Sequence, residues 1–203
     1  MSKVCYIVGA GEFYGDIAKR EGDVVIAADG GYDALVRRGI ACDLLIGDMD
    51  SIESAPSGVD ILRVPVEKDE TDTYLCYLEG VRRGFDNFVI IGGVGGREDH
   101  TFANYSLLIG AIKDKKRVKL VSEHFDILAI SNEKFEIKGY KNHALSVFAF
   151  DSDATGVTIE GCKYEASGAT LTPSFPLGVS NLVTSDDACV SVEHGALLLM
   201  LER

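Results

Sequence analysis

Phe88-Val89-Ile90-Ile91-Gly92-Gly93-Val94-Gly95-Gly96-Arg97-Glu98-Asp99-His100 decides the fold of the first half of this chain. Four apolar residues in a row predict a short strand, the glycines predict a turn, and residues 102–113 predict a helix. A continuous apolar run, unlike an alternating one, fits a strand covered by helices on both faces of its sheet. The same unit recurs on either side of it. Further strands are predicted at residues 4–8, 24–28, 44–46, 61–64 and 118–121, and further helices at 32–38 and 73–83. Gly39 and Gly84 follow the latter two helices, where a left-handed cap residue is wanted. Strands alternating with helices imply a doubly wound parallel sheet of Rossmann-like α/β type.

Past Asp126 the pattern changes. Short stretches at 135–138, 145–150, 157–160 and 190–193 alternate or are β-branched, and turn residues such as Gly139, Gly161, Gly168, Gly178 and Gly195 separate them. No helix is indicated there, so an antiparallel β-sandwich is predicted. The chain therefore divides into an α/β domain over 1–124 and an all-β domain over 125–203. No Pro/Gly linker separates the two.

Composition narrows the function classes. The 203 residues include 32 acidic and 20 basic side chains, a net charge of −12, which disfavours polyanionic partners such as nucleic acids or anionic membranes. No apolar run approaches the length of a membrane span. Met1-Ser2-Lys3 leads straight into an apolar run with acidic residues close behind, so no signal peptide is expected. Five scattered cysteines without a CxxC pair suit free thiols in a reducing cytoplasm.

Ligands of open parallel sheets bind beyond the carboxyl ends of the strands. Here those ends carry Asp29-Gly30-Gly31, Gly47-Asp48-Met49-Asp50-Ser51, Lys68-Asp69-Glu70-Thr71-Asp72 and the Gly92–Gly96 loop with Arg97, Asp99 and His100. Taken singly, each has a bland reading. Asp48 and Asp50 make a polar turn, Asp69 caps a helix with Asp72 in its first turn, and His100 is a structural hydrogen bonder. Together, Asp29, Asp48, Asp50, Asp69, Asp72 and Asp99 crowd one sheet edge, where like charges need a cation. A hard, oxygen-seeking cation is indicated, Mg²⁺ above all. Gly92, Gly93, Gly95 and Gly96 expose backbone N–H groups to an anion, and Arg97 adds a fork suited to phosphate. Gly9-Ala10-Gly11 follows the first strand, but the next glycine, Gly15, comes one place too late for a dinucleotide fingerprint. Neither a GxxxxGK[ST] loop nor a nucleophile elbow occurs. These features describe metal-assisted phosphate-ester chemistry on a nucleotide, and leave hydrolysis and group transfer both open.

The four motifs in this order, with Thr101 and Asn104, closely resemble thiamine pyrophosphokinases over nearly the whole chain. The resemblance implies an α/β catalytic domain joined to a C-terminal β-sandwich. It also implies transfer of a pyrophosphoryl group from ATP to the hydroxyl of thiamine, giving thiamine diphosphate and AMP. It assigns Mg²⁺ to Asp48, Asp50 and Asp72, with Asp29 and Asp69 close by. Catalytic roles fall to Asp50, Asp69, Asp72 and Arg97. The nucleotide phosphates would meet Asp29, Gly30, the four loop glycines and Arg97, ordered by Asp99, His100 and Asn104. In the second domain, Ser180 and Asn181 would meet thiamine. Tyr164 stands where some members place a tryptophan against the thiazolium ring, and this chain has no tryptophan. The resemblance further implies a homodimer with a shared thiamine site. Rival readings are a diphosphokinase acting on a hydroxymethylpterin alcohol, a metal-dependent nucleotide hydrolase, and a nucleotide-binding module without turnover.

Overall fold

A computed structural model describes residues 2–50, 52–53 and 56–203 of the chain; Ser51 of the acidic motif lies outside them. The described chain forms two compact units: Met1–Leu107 with Lys115–Glu123, and Leu108–Asp114 with His124–Arg203.

The first unit is α/β. Its strands are β1 (Val4–Val8), β2 (Val24–Ala28), β3 (Leu44–Gly47), β4 (Asp60–Arg63), β5 (Asn87–Ile91) and β6 (Arg117–Val121). They run parallel in the order β6-β5-β1-β2-β3-β4. From β1 the chain steps outward to β4 and then returns to β5 on the other side of β1. That reversal is a topological switch point, where a crevice opens at the carboxyl edge. Register brings the motifs together at this edge: Val8 lies opposite both Ala27 and Ile91, and Ala28 opposite Ile46. The loops after β1, β2, β3 and β5 therefore leave the sheet side by side.

Helices α1 (Gly31–Arg38) and α2 (Asp72–Arg82) pack on the central strands. Tyr32, Ala34 and Leu35 of α1 join Val8, Val25, Ala27 and Leu45 in one core cluster. A side chain at Gly31 is excluded, since its Cβ would stand 2.0 Å from the Val8 carbonyl oxygen. Gly39 takes the left-handed cap conformation with φ 64°, and Gly84 has φ 83°. One local expectation fails. The cap of α2 is Thr71, whose Oγ1 accepts from Tyr74 N at 3.2 Å, so Asp69 is not the capping residue. Thr71 wins because it directly precedes the helical backbone, where a side-chain oxygen reaches an N–H three residues on. Helix α3 (Glu98–Lys113) starts four residues before the predicted residue 102. The acidic pair Glu98 and Asp99 is favourable in its first turn.

The second unit contains β7 (Phe125–Ser131), β8 (Lys134–Glu136), β9 (Ala144–Ala149), β10 (Ala154–Glu160), β11 (Ala166–Leu171), β12 (Gly178–Leu182), β13 (Cys189–Ser191) and β14 (Ala196–Glu202). They form two antiparallel layers, β12-β9-β14-β7 and β11-β10-β13-β8. Inward residues of both layers, among them Leu145, Val147, Leu197 and Leu199 against Val157, Ile159 and Val190, make one core. The predicted sandwich is thus the observed architecture. All five cysteines are free thiols. Among the described residues no helix is long and apolar enough to cross a membrane.

The last turn of α2 carries a charge cluster with a measurable signature. Glu79 accepts from Arg82 Nε at 2.6 Å and from Arg83 Nε at 2.7 Å. These bonds, led by that from Arg82, hold its carboxyl down at about 2 in the folded chain. A carboxyl depressed by folding stabilises the native state above its unfolded value, about 4.3, and loses that contribution as pH falls toward the folded value. Glu79→Gln is expected to flatten the decline in stability between about pH 5 and pH 2, read from urea midpoints at each pH. An unchanged acid limb would contradict the assignment.

Candidate active site

A cleft of about 520 Å³ lies at the carboxyl edge of the parallel sheet. That volume is typical of small-molecule sites. One wall is acidic. Asp29, Asp48 and Asp50 each offer a carboxylate oxygen, and these oxygens lie within 4.8 Å of one another. Asp72 lines the same cleft.

Backbone geometry holds each carboxylate. Asp29 directly follows β2 with φ 46°, and its N–H donates to the Ile46 carbonyl at 2.8 Å. Gly47 leaves room for it, because a Cβ there would come 2.8 Å from Asp29 Oδ1. Asp48 Oδ1 accepts from Asp50 N at 3.0 Å, across a Met49 with φ 74°. This bond, first among its causes, keeps the Asp48 carboxyl below the usual range. The Asx turn that serves as the bland reading of this motif is therefore present, and it also gathers the two aspartates. Lys68 Nζ stands 2.9 Å from Asp72 Oδ1, a charge contact without hydrogen-bond geometry. That lysine at i,i+4 offsets part of the acidic charge, and its spacing from Asp72 was readable in the sequence. The group of three contains only carboxylates, with neither histidine nor cysteine, and so suits a hard cation such as Mg²⁺.

The opposite wall is backbone. Gly92, Gly93, Val94 and Gly96 line the cleft with Arg97, His100, Thr101 and Asn104 from the loop and the start of α3. The loop after β1 interlocks with it: Gly9 N donates to Ile91 O at 2.8 Å and Gly11 N to Gly92 O at 2.9 Å. A Cβ on Gly9 would stand 2.6 Å from Gly92 O. Ala10 and Gly11 consequently line the site, although their spacing lacks the dinucleotide fingerprint. Buried Asn104 donates through Nδ2 to Gly93 O at 2.7 Å and so braces the loop from behind. Arg97 forks onto Asp99, with Nε at 3.1 Å from Oδ1 and a terminal nitrogen at 2.6 Å from Oδ2. The pair is solvent-exposed, and each partner shifts the other toward its charged form.

Of the residues singled out from sequence, Asp29, Asp48, Asp50, Asp72, Gly92, Gly93, Gly96, Arg97, His100 and Asn104 share the cleft lining. Gly30, Asp69, Gly95 and Asp99 stand outside that lining. Thr73 lines it and carried no recognisable signal, since a threonine one place into a helix is ordinary. In the second unit, Asn181 is buried and bound to the Tyr164 backbone, accepting from its N at 2.9 Å and donating to its O at 2.6 Å. Tyr164 itself is 61% exposed, and Lys163 Nζ lies 5.2 Å from its ring centroid. Ser180 has φ 59°, and its N–H donates to Ser146 Oγ.

Two family models account for most of the chain. "Thiamin pyrophosphokinase, catalytic domain" matches residues 18–120, and "Thiamin pyrophosphokinase, vitamin B1 binding domain" matches 125–197. The chain belongs to the thiamin pyrophosphokinase family. A relative from Bacillus subtilis, Thiamine pyrophosphokinase, is 27% identical over 184 residues, covering 86% of this chain and 85% of its own length. The thiamine pyrophosphokinase crystal structure from that organism superposes with a TM-score of 0.89 at 24% identity, over 98% of each chain. The Candida albicans thiamin pyrophosphokinase gives 0.79 at 15% identity, over 99% of this chain and 89% of that one. At such identities the structural likeness speaks for the fold of the family alone.

The brace behind the glycine loop makes one prediction. Asn104→Ala leaves the Gly93 carbonyl without its side-chain partner, and should destabilise the protein by about 1–3 kcal/mol. The shift is read from the urea midpoint; a midpoint within error of wild type would refute the brace.

Proposed function

We propose that the cleft at the β1–β5 switch point is where this chain performs its family's reaction, thiamine diphosphokinase activity. Family membership supports the reaction class: ATP and thiamine give thiamine diphosphate and AMP. The observation that carries the location is one crevice with three gathered carboxylates on one wall and a glycine loop, a helix N-terminus and Arg97 on the other. The rival acceptor and the simple hydrolase lack comparable support, because the second unit matches a vitamin B1 binding domain.

In this reading the glycine-loop N–H groups and the first turn of α3 hold nucleotide phosphates, as helix N-termini do. Gly95 and Gly30 shape the two flanking turns. Arg97 moves from its exposed pairing with Asp99 to the phosphate oxygens, where its fork stabilises charge growing in the transition state. Asp99 keeps that fork oriented until the nucleotide arrives. His100 and Asn104 fix the loop and the helix start. Asp48 and Asp50 would hold Mg²⁺ together with Asp29, and Asp72 lies on the same wall. A cation held by these carboxylates would supply positive charge against that of the phosphates.

The thiamine hydroxyl attacks the β-phosphorus in line. A bond forms between that oxygen and the β-phosphorus, the bond from the β-phosphorus to the bridging oxygen of the α-phosphate breaks, and AMP leaves with that oxygen. The hydroxyl proton passes to a carboxylate, for which Asp50 and Asp72 are the candidates within the cleft; Asp69 is set back from it. Chemistry of this kind depends on positioning and charge, and needs no protein nucleophile. Ser180, Asn181 and Tyr164 form the thiamine-facing segment of the proposal. Asn181 fixes the Tyr164 backbone, and the exposed ring already draws a lysine ammonium, so its face suits a cationic thiazolium. A homodimer, a 1–124/125–203 division of labour, and a reducing cytoplasmic setting for the five free thiols belong to the same proposal.

AMP release from ATP and Mg²⁺, with and without thiamine, is the direct test. Release is expected only with thiamine, and a signal of equal size without it would sink the proposal. Asp50→Asn should lower turnover by at least ~10²-fold, comparable to loss of a transition-state contact. Its circular dichroism and urea midpoint should stay near wild type, since Asp50 is exposed.

A further inference from the structure

Thr73 carries a hydroxyl that no group of the fold uses. It is the second residue of α2 and only 9% exposed, yet its side chain belongs to the cleft lining. Its Oγ1 lies 3.7 Å from the position a Cβ on Gly9 would take, beside the junction of the two interlocked loops. Among the described residues this hydroxyl makes no hydrogen bond. The capping role is taken two residues earlier by Thr71, which serves Tyr74 N. A hydroxyl that makes no bond within the protein and opens onto a cleft is left to water or to a ligand. Held on helical backbone at the lining of a cleft, such a hydroxyl points to a ligand.

The surroundings specify which part of the ligand. First-turn N–H groups of a helix lack acceptors within it, and Thr71 Oγ1 satisfies only that of Tyr74. The adjoining glycine loop presents further donors. Beside Thr73, Asp72 is an acceptor only, and its charge is offset by Lys68 rather than by a free donor. A neutral donor here can approach an anion without drawing the carboxylates out of place, as a lysine would. We propose that Thr73 is a substrate-contacting residue, its hydroxyl donating to a non-bridging phosphate oxygen of the nucleoside triphosphate. The inference rests on reading the cleft as the nucleotide site.

Two variants test it. Thr73→Val keeps the shape and removes the hydroxyl, while Thr73→Ser keeps the hydroxyl. For Thr73→Val, kcat/KM for ATP should fall by about tenfold or more, as for a hydrogen bond to a charged group, with KM for thiamine unchanged. Its thermal midpoint should equal or exceed that of wild type, an outcome a structural hydrogen bond would not produce. Thr73→Ser should retain kcat/KM for ATP within about threefold. Calorimetric titration with ATP and Mg²⁺ should show the same loss of affinity in Thr73→Val, without requiring turnover. Wild-type kinetics in Thr73→Val, or parallel loss of stability and activity, would overturn the contact. Wild-type protein that forms no thiamine-dependent AMP yet binds the nucleotide would defeat the reaction assignment alone, and the titration would still decide Thr73. Wild-type protein that binds no nucleotide would overturn both.

Discussion

Two backbones meet at the centre of the parallel sheet without side chains between them, and the site depends on that approach. Gly9 and Gly92, which follow the adjacent strands β1 and β5, stand so close that a Cβ on either would fall within 2.6 Å of the other's carbonyl oxygen. Gly11 extends the contact by donating to Gly92 O. The crevice of a switch point is thus floored by peptide groups. Side chains at these positions would part the strands' ends and fill the space a ligand needs. Everything that faces the crevice, including the α3 start, is placed relative to this floor.

The acidic wall is organised by the same means. Asp29 and Met49 occupy left-handed backbone, a conformation that costs free energy in residues other than glycine and is kept where the surroundings enforce it. In return, three carboxylate oxygens come within reach of one cation. The −12 net charge of the chain accordingly has a local component at the cleft, tempered by Lys68 against Asp72 and by Arg97 against Asp99. An acidic chain that repels polyanions can still accept a nucleotide that arrives with its metal. In the proposed site the donors for the phosphates are backbone N–H groups, the Thr73 hydroxyl and one exposed guanidinium.

The sandwich unit solves a different problem. Its core is the shared interior of two antiparallel layers; of its candidate ligand contacts, Ser180 and Asn181 sit on edge strand β12 and Tyr164 in the turn before edge strand β11. There Asn181 spends its amide on the Tyr164 backbone. The buried amide makes the position of an exposed aromatic ring a property of the fold rather than of a mobile loop.

By itself, the sequence determined the elements of the first unit. Six predicted runs became six parallel strands, and the boundaries at Val4–Val8 and Val24–Ala28 are those observed, because burial along those strands leaves an unambiguous hydrophobic pattern; edge strand β4, exposed at every position, departs from the expected two-sided cover. It also singled out loops that the structure brings to one cleft, because their Gly-rich and Asp-rich strand ends stand out from the apolar runs before them. Four strands of the sandwich escaped it. β11 and β12 are edge strands rich in Gly, Ala, Ser and Asn, with weak β-preference, and β7 and β14 are mostly apolar without alternation. Only the tertiary structure decided that Asp29 joins Asp48 and Asp50, that Asp69 stands back, and that Asn104 braces Gly93. It alone decided that Gly9-Ala10-Gly11 belongs to the site. The physical reason is register: strand pairing sets which loop ends become neighbours, and those pairings join residues far apart in the chain.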